Sequence, residues 1–224
     1  MGSTRLGLSK GWLSVAIIVL LLIVDQVIKI WVKTHMCLGE AIRVTDWFYI
    51  DFIENAGMAY GMTFINKFFL SILRLVAIGV IGWYIWKQVR EKARWRYIVL
   101  LSMVLAGAAG NILDFMFYGL VFDVSTQYTV STWVPFGTGY ADFLMGKVVD
   151  MFYFPLIVTT WPDWVPWVGG NDYIFFSPVF NFADACISVG VVLLVCCCRK
   201  ELETISIFSK PEAGNKDEIE DKSK

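Results

Sequence analysis

In 224 residues the chain carries 57% hydrophobic and only 17% charged side chains, with a formal net charge of −1 and a mean hydropathy of +0.61. That balance excludes an ordinary soluble domain and makes a membrane the first expectation.

A helix that crosses a hydrocarbon core of roughly 30 Å needs about 20 mainly apolar residues. Four stretches qualify, near 12–32, 68–86, 97–117 and 180–198. The first follows Arg5 and Lys10 as a secretory signal would, after a short cytoplasmic stretch, 1–11. Its apolar core is long, no small-residue cleavage site closes it, and Asp25 to Lys29 continue it in helical register, so it reads as a retained helix. The segment 34–67 is predicted to lie outside. Within it, Glu54 to Gly61 set the amide of Asn55 beside Gly57 and Gly61, which suits a tight turn or a backbone that comes close to a ligand. The link to the third span holds Lys87, Arg90, Lys92, Arg94 and Arg96 and is predicted cytoplasmic. In the third span, Ala106 to Gly110 form a small-residue run that lets another helix approach closely.

The second external segment, 118–179, has Lys147 as its one basic residue and many aromatics, among them Trp133, Trp161, Trp164 and Trp167, which suit a membrane interface. Lys147 to Phe154 read as a short β-type segment, with Asp150 in an apolar setting where desolvation should raise its pKa. The fourth span ends at Arg199 and Lys200, and the polar, mixed-charge tail 201–224 is expected to be disordered and cytoplasmic. Residues 12–200 thus form one membrane domain. The five cysteines show neither metal nor disulfide spacing and read as apolar filler.

An ionisable group inside a span is costly and marks a site facing the bundle interior. With the N-terminus inside, Asp25 and Asp114 fall near the outward ends of spans one and three, and Asp184 near the outward start of span four. Three acids from remote segments therefore share one leaflet. Asn111 with Asp114, and Asn181 with Asp184, are three apart and share helix faces. For Asp25 and Lys29, one turn apart, a local ion pair suffices, and a direct role in the site is the alternative. Asp150 and Asp184 supply the two carboxylates of aspartic catalysis, one taking a proton from water and the other donating to the substrate carbonyl. His35 is the single histidine, which excludes an H-E-x-x-H zinc site, and no G-x-S-x-G elbow occurs; a Ser–Lys arrangement stays open.

The ordered strings Asp25-x-x-x-Lys29, Asn55-x-Gly57-x-Ala59-Tyr60-Gly61, Gly107-x-x-Gly110-Asn111-x-x-Asp114, Val148-Val-Asp150-Met-Phe152 and Phe180-Asn-x-Ala-Asp184 resemble signal peptidase II, the bacterial lipoprotein signal peptidase. The resemblance covers roughly residues 12–198. It implies an all-α integral membrane protein of the bacterial inner membrane, with four transmembrane helices and a small β-containing periplasmic subdomain in the external loops. It implies Asp150 and Asp184 as the catalytic pair, with Asp25, Lys29, Asn55, Gly57, Asn111, Asp114 and Asn181 binding substrate or supporting the pair. The activity implied is removal of the signal peptide from a diacylglyceryl-modified prolipoprotein, just before the lipidated cysteine. No metal, cofactor or nucleic acid is implied; the expected partners are prolipoprotein and membrane lipid, and the expected state is a monomer. The chain departs from the family where Phe115 follows Asp114 in place of the usual arginine, so a guanidinium is missing there. The segment 119–147 is also long, and reads as a lid, a lipid-docking surface or a decorated loop. The alternative class is a small polytopic proton- or cation-coupled transporter subunit, which would string its acids across the membrane; a structural assembly factor would tolerate loss of either aspartate.

Overall fold

The computed structural model describes residues 9–57 and 67–203. Ala59, Tyr60 and Gly61 of the second string, and most of the expected cytoplasmic tail, lie outside the described residues.

Ser9 opens the first helix by accepting a hydrogen bond from the Trp12 N–H, and α1 then runs Lys10–His35. Helix α2 spans Lys67–Arg90 and α3 Trp95–Leu113. Beyond α3 the chain makes a π-helical turn, Asp114–Tyr118, and a last turn, α4, Gly119–Val121, so that Trp95–Val121 is one rod of 27 residues. Among the described residues these three are long and apolar enough to cross a membrane. The stretch expected as the fourth span forms α5, Phe182–Cys197, and α6, Arg199–Glu203. The 16 residues of α5 measure about 24 Å at 1.5 Å each. Asn181 caps it at one end and the backbone leaves the helix at Cys198 before the basic pair, so this helix is shorter than the expected 180–198.

The bundle is apolar on its outside and polar within. In α1 the exposed side chains include Val15, Leu20, Ile23 and Val27, whereas Ser14, Asp25, Lys29 and Lys33 are buried. Hydrocarbon outside makes this arrangement favourable, since a polar group facing lipid finds no partner. Inside, the groups pair: Ser14 Oγ lies 2.7 Å from Ser102 Oγ, and Tyr84 Oη 2.8 Å from Tyr97 Oη.

The segments expected to be external contain the β-structure expected of them, so all-α describes the helical part alone. Strands β1 (Ala41–Thr45), β2 (Phe48–Asn55) and β3 (Val148–Tyr153) form an antiparallel sheet in the order β1-β2-β3, and β4 (Ile157–Thr160) pairs with β5 (Asp172–Phe175) in a hairpin. A bulge in β2 between Ile50 and Ile53 sets Ile53 opposite Asp150 and Asn55 opposite Val148. The core of Val32, Met36, Phe52, Tyr118, Phe122, Val149 and Met151 seats this sheet on the ends of α1 and the rod. The long segment after the rod folds back along it: Ala141 N–H donates to Gly119 O and Gly146 N–H to Phe115 O, both at 3.0 Å.

Candidate active site

Asp150 projects from the middle of β3 and is 4% exposed. Two amides hold it. Asn181 Nδ2 donates to Oδ1 at 2.7 Å, and Asn55 Nδ2 donates to Oδ2 at 3.3 Å. Asp184 lies in the first turn of α5, and its Oδ1 accepts from Asn111 Nδ2 at 2.7 Å. Asn181 and Asp184 form a capping box: the Asp184 N–H donates to Asn181 Oδ1 at 2.9 Å, and the Asn181 N–H donates to Asp184 Oδ2 at 3.3 Å. The three-residue spacing expected to align them on a helix face thus does different work. Asn181 is the cap itself, so the same contact that starts α5 fixes the carboxylate of Asp184. Asn181 Nδ2 also reaches Asn111 Oδ1 at 3.1 Å, joining the two halves of the site.

Burial pushes the Asp150 carboxyl up to about 6, and the nearby charge of Asp184 adds to this, against the opposing hydrogen bonds from Asn181 and Asn55. Asn55, Gly57, Arg74, Asn111, Phe115, Val148, Asp150 and Asp184 together line a cavity of about 190 Å³. Two carboxylates facing one small polar cavity, with raised proton affinity on one of them, can share a proton and activate a water.

Beneath the pair lies a buried charged layer. Lys29, fully buried, contacts Asp25 at 3.0 Å and Asp114 at 2.8 Å and donates to Asn111 Oδ1 at 2.8 Å. A local Asp25–Lys29 pair is therefore too small a description, because the ammonium ties α1 to the rod and, through Asn111, to Asp184. Asp25 Oδ1 in turn accepts the Ala183 N–H at 3.0 Å, and Asp114 Oδ2 accepts the Val149 N–H at 3.3 Å, one residue from Asp150. The π-helical turn begins at Asp114 and buries Asp114, Phe115 and Tyr118 together. Gln26 completes the layer, donating to Asp114 Oδ1 at 2.9 Å and accepting from Tyr118 Oη at 3.2 Å.

Three groups escaped the sequence reading. Lys33 pairs with Glu54 at 2.6 Å and donates to Ser125 at 2.8 Å, and Lys147 reaches the other Glu54 oxygen at 2.9 Å. Burial alone would push the Glu54 carboxyl up, but the charge of Lys33 and the hydrogen bonds of Lys33, Lys147 and Ser125 hold it below its ordinary value. This cluster pins the end of β2 next to Asn55. Its sequence signal was Lys33, one turn beyond Lys29 in an apolar helix. Gln26 gave no signal, being an uncharged neighbour of Asp25. The third is Arg74. Its guanidinium lies 4.5 Å from the centre of the Phe115 ring and donates to Gly57 O at 3.0 Å, so the site has a guanidinium after all, supplied by α2. Gly57, at φ +70°, accepts this approach because a Cβ there would run into the Phe115 ring.

The five cysteines are free thiols, and no group of three or more metal-ligating side chains occurs among the described residues.

Residues 17–199 match the family model described as signal peptidase (SPase) II. The lipoprotein signal peptidase of Porphyromonas gingivalis is 48% identical over 198 residues, covering 88% of this chain and 87% of its own. That of Amoebophilus asiaticus is 35% identical over 193 residues, covering 83% and 77%. Among solved structures, a bacterial membrane enzyme determined by the in meso method at 1.9 Å resolution aligns with a TM-score of 0.56 at 24% identity, over 84% of this chain and 93% of that one. A second, at 2.3 Å resolution, aligns with a TM-score of 0.55 at 22% identity, over 88% and 93%. These two speak to the fold.

Proposed function

The chain belongs to the signal peptidase II family, and on that premise we propose that it removes signal peptides from prolipoproteins as an aspartic endopeptidase, with Asp150 and Asp184 as the catalytic pair. The observation that carries this reading is the convergence of both carboxylates on one cavity, each fixed by side-chain amides from other elements.

The pair holds one proton between its two carboxyls. The ionised member takes a proton from a water molecule, whose oxygen attacks the scissile carbonyl carbon, while the protonated member donates to the carbonyl oxygen. The tetrahedral intermediate collapses when the amide nitrogen receives the proton taken from water and leaves as the new N-terminus, while a hydroxyl of the intermediate returns its proton to the other carboxylate. Asn55, Asn111 and Asn181 hold the carboxylates in place throughout, and Lys29 holds Asn111. Neither metal nor cofactor enters this scheme.

The proposed orientation puts both termini in the cytoplasm, with four helices in the membrane and the sheet and hairpin outside. The carboxylate pair then stands at the outer leaflet. That depth suits a substrate whose cleavage point precedes a diacylglyceryl cysteine, since drawing acyl chains out of the bilayer costs about 0.8 kcal/mol per CH₂. A proton-coupled transporter, the alternative class, would spread its acids across the membrane, and here they gather at one end.

Asp150→Asn and Asp184→Asn should each abolish cleavage of a lipidated prolipoprotein by the purified protein, while leaving it folded and able to bind that substrate. An amide keeps the volume but cannot take a proton from water. The double variant should be little worse than either single one, because the two act as a unit. Full turnover by either single variant would sink the dyad assignment.

A further inference from the structure

Arg74 stands on the inward side of α2, two helical turns from its outer end, with Phe115 stacked against it. Only part of its donor capacity is spent. Nη2 donates to Gly57 O, whereas Nη1 is shut off from solvent and has no acceptor among the described residues. An enclosed donor without a partner is costly, and more so when it belongs to a charged group. Arg74 also lines the cavity that holds Asp150 and Asp184.

A chain of hydrogen bonds links it to the dyad. Gly57 O accepts from Arg74, the Gly57 N–H donates to Asn55 Oδ1 at 2.8 Å, and Asn55 Nδ2 donates to Asp150. The turn formed by Asn55 and Gly57 therefore sits between the guanidinium and the carboxylate, holding both at the rim of one cavity. A guanidinium is suited to this place because its planar fork can keep Gly57 with one nitrogen and offer the other to a second oxygen.

We propose that Arg74 binds substrate, its Nη1–H donating to a main-chain carbonyl of the signal peptide next to the scissile bond. The residue thereby supplies from α2 the positive donor that Phe115 cannot, and the Phe115 ring orients it. The proposal rests on the reading that this cavity receives the prolipoprotein. It assigns Arg74 to the peptide part of the substrate and not to the lipid part, whose acyl chains offer a guanidinium no acceptor.

That division can be measured by binding to the non-cleaving Asp184→Asn protein in detergent micelles. One probe is a synthetic lipopeptide in which several signal-peptide residues precede a diacylglyceryl cysteine; the other is the diacylglyceryl cysteine alone. Adding Arg74→Gln should weaken lipopeptide binding by about ten- to a hundredfold, the scale of a lost hydrogen bond to a charged group, and leave binding of the lipidated cysteine unchanged. Arg74→Lys keeps the charge without the fork and should lose most of the same factor, which gives a second reading should the glutamine variant fold poorly. An equal loss for both probes would reduce Arg74 to a structural role, and unchanged lipopeptide binding in a folded variant would overturn the proposal outright. A wrong dyad assignment would show itself separately, as turnover in the Asp184→Asn protein.

Discussion

Asp150 carries two requirements that pull against each other. In the proposed mechanism it must titrate to work, and it sits where ionisation is unfavourable, its carboxyl raised from 3.8 to about 6 by burial and by the charge of Asp184. A folded-state pKa above the unfolded one means that the fold binds the proton more tightly. The stabilisation is then complete below about pH 4 and is lost as the pH rises through about 6. Asparagine does not titrate, so the melting temperature of Asp150→Asn should gain on that of wild type between pH 4 and pH 7.5, by at most about 3 kcal/mol in stability. Thermal unfolding in micelles that showed the same gap at both pH values would contradict this. Lys29 presents the opposite case, as a buried cation whose removal strands Asp25 and Asp114. Lys29→Met should cost about 3–5 kcal/mol, the range for breaking a buried ion pair, and should abolish activity with it. Asp25→Asn should be milder, since Lys29 keeps Asp114; a melting temperature for Lys29→Met within a degree of wild type would refute the account of the charged layer.

At the scale of elements, the site depends on how closely the helices approach. Gly110 on α3 faces the Asp25 carboxylate of α1, and a Cβ placed there would come within 2.6 Å of Asp25 Oδ2. Gly107, one turn earlier, meets the backbone of Ala183 at the start of α5 in the same way. These small residues let α1, the rod and α5 come together at the depth of the dyad. Gly110→Ala should therefore lower both stability and cleavage by forcing Asp25 off the Ala183 N–H. Gly79→Ala on α2 is the matched control, because a Cβ there meets nothing within 4 Å, and it should be silent in both assays. Comparable losses in the two variants would mean that alanine in a helix, and not the contact with Asp25, is responsible. The strand expected at Lys147 to Phe154 forms as β3, but its partner is β2, from the far side of two helices in the sequence.

For the molecule as a whole, the inside-out distribution of polarity fits a bilayer, and the orientation proposed for it rests on the basic link between α2 and α3. Single cysteines placed in 88–94 of a cysteine-free variant should react with an impermeant thiol reagent only after the cytoplasmic face is opened. Cysteines at Tyr128 and Trp167, which are 89% and 99% exposed, should react from outside in intact cells. Labelling of 88–94 in intact cells would invert the orientation and with it the leaflet proposed for the dyad.

The sequence made three long apolar helices, the strand around Asp150 and the acids within the apolar runs legible, because each of these leaves a local trace. Apolar runs of spanning length, a β-type stretch around Asp150 and charges inside hydrocarbon are all properties of neighbouring residues. What it left open was the pairing. Asp25 with Lys29 satisfied a local rule, and only the tertiary structure shows that Lys29 also holds Asp114 and Asn111. Phe115 read as a lost guanidinium until the fold brought Arg74, 41 positions earlier in the chain, against its ring. The Glu54 cluster likewise joins Lys33, Ser125 and Lys147 from three separate segments. Hydropathy fixes which residues leave water, but a buried charge must find its partners within about 4 Å, and which partners those are depends on helix packing that no local pattern records.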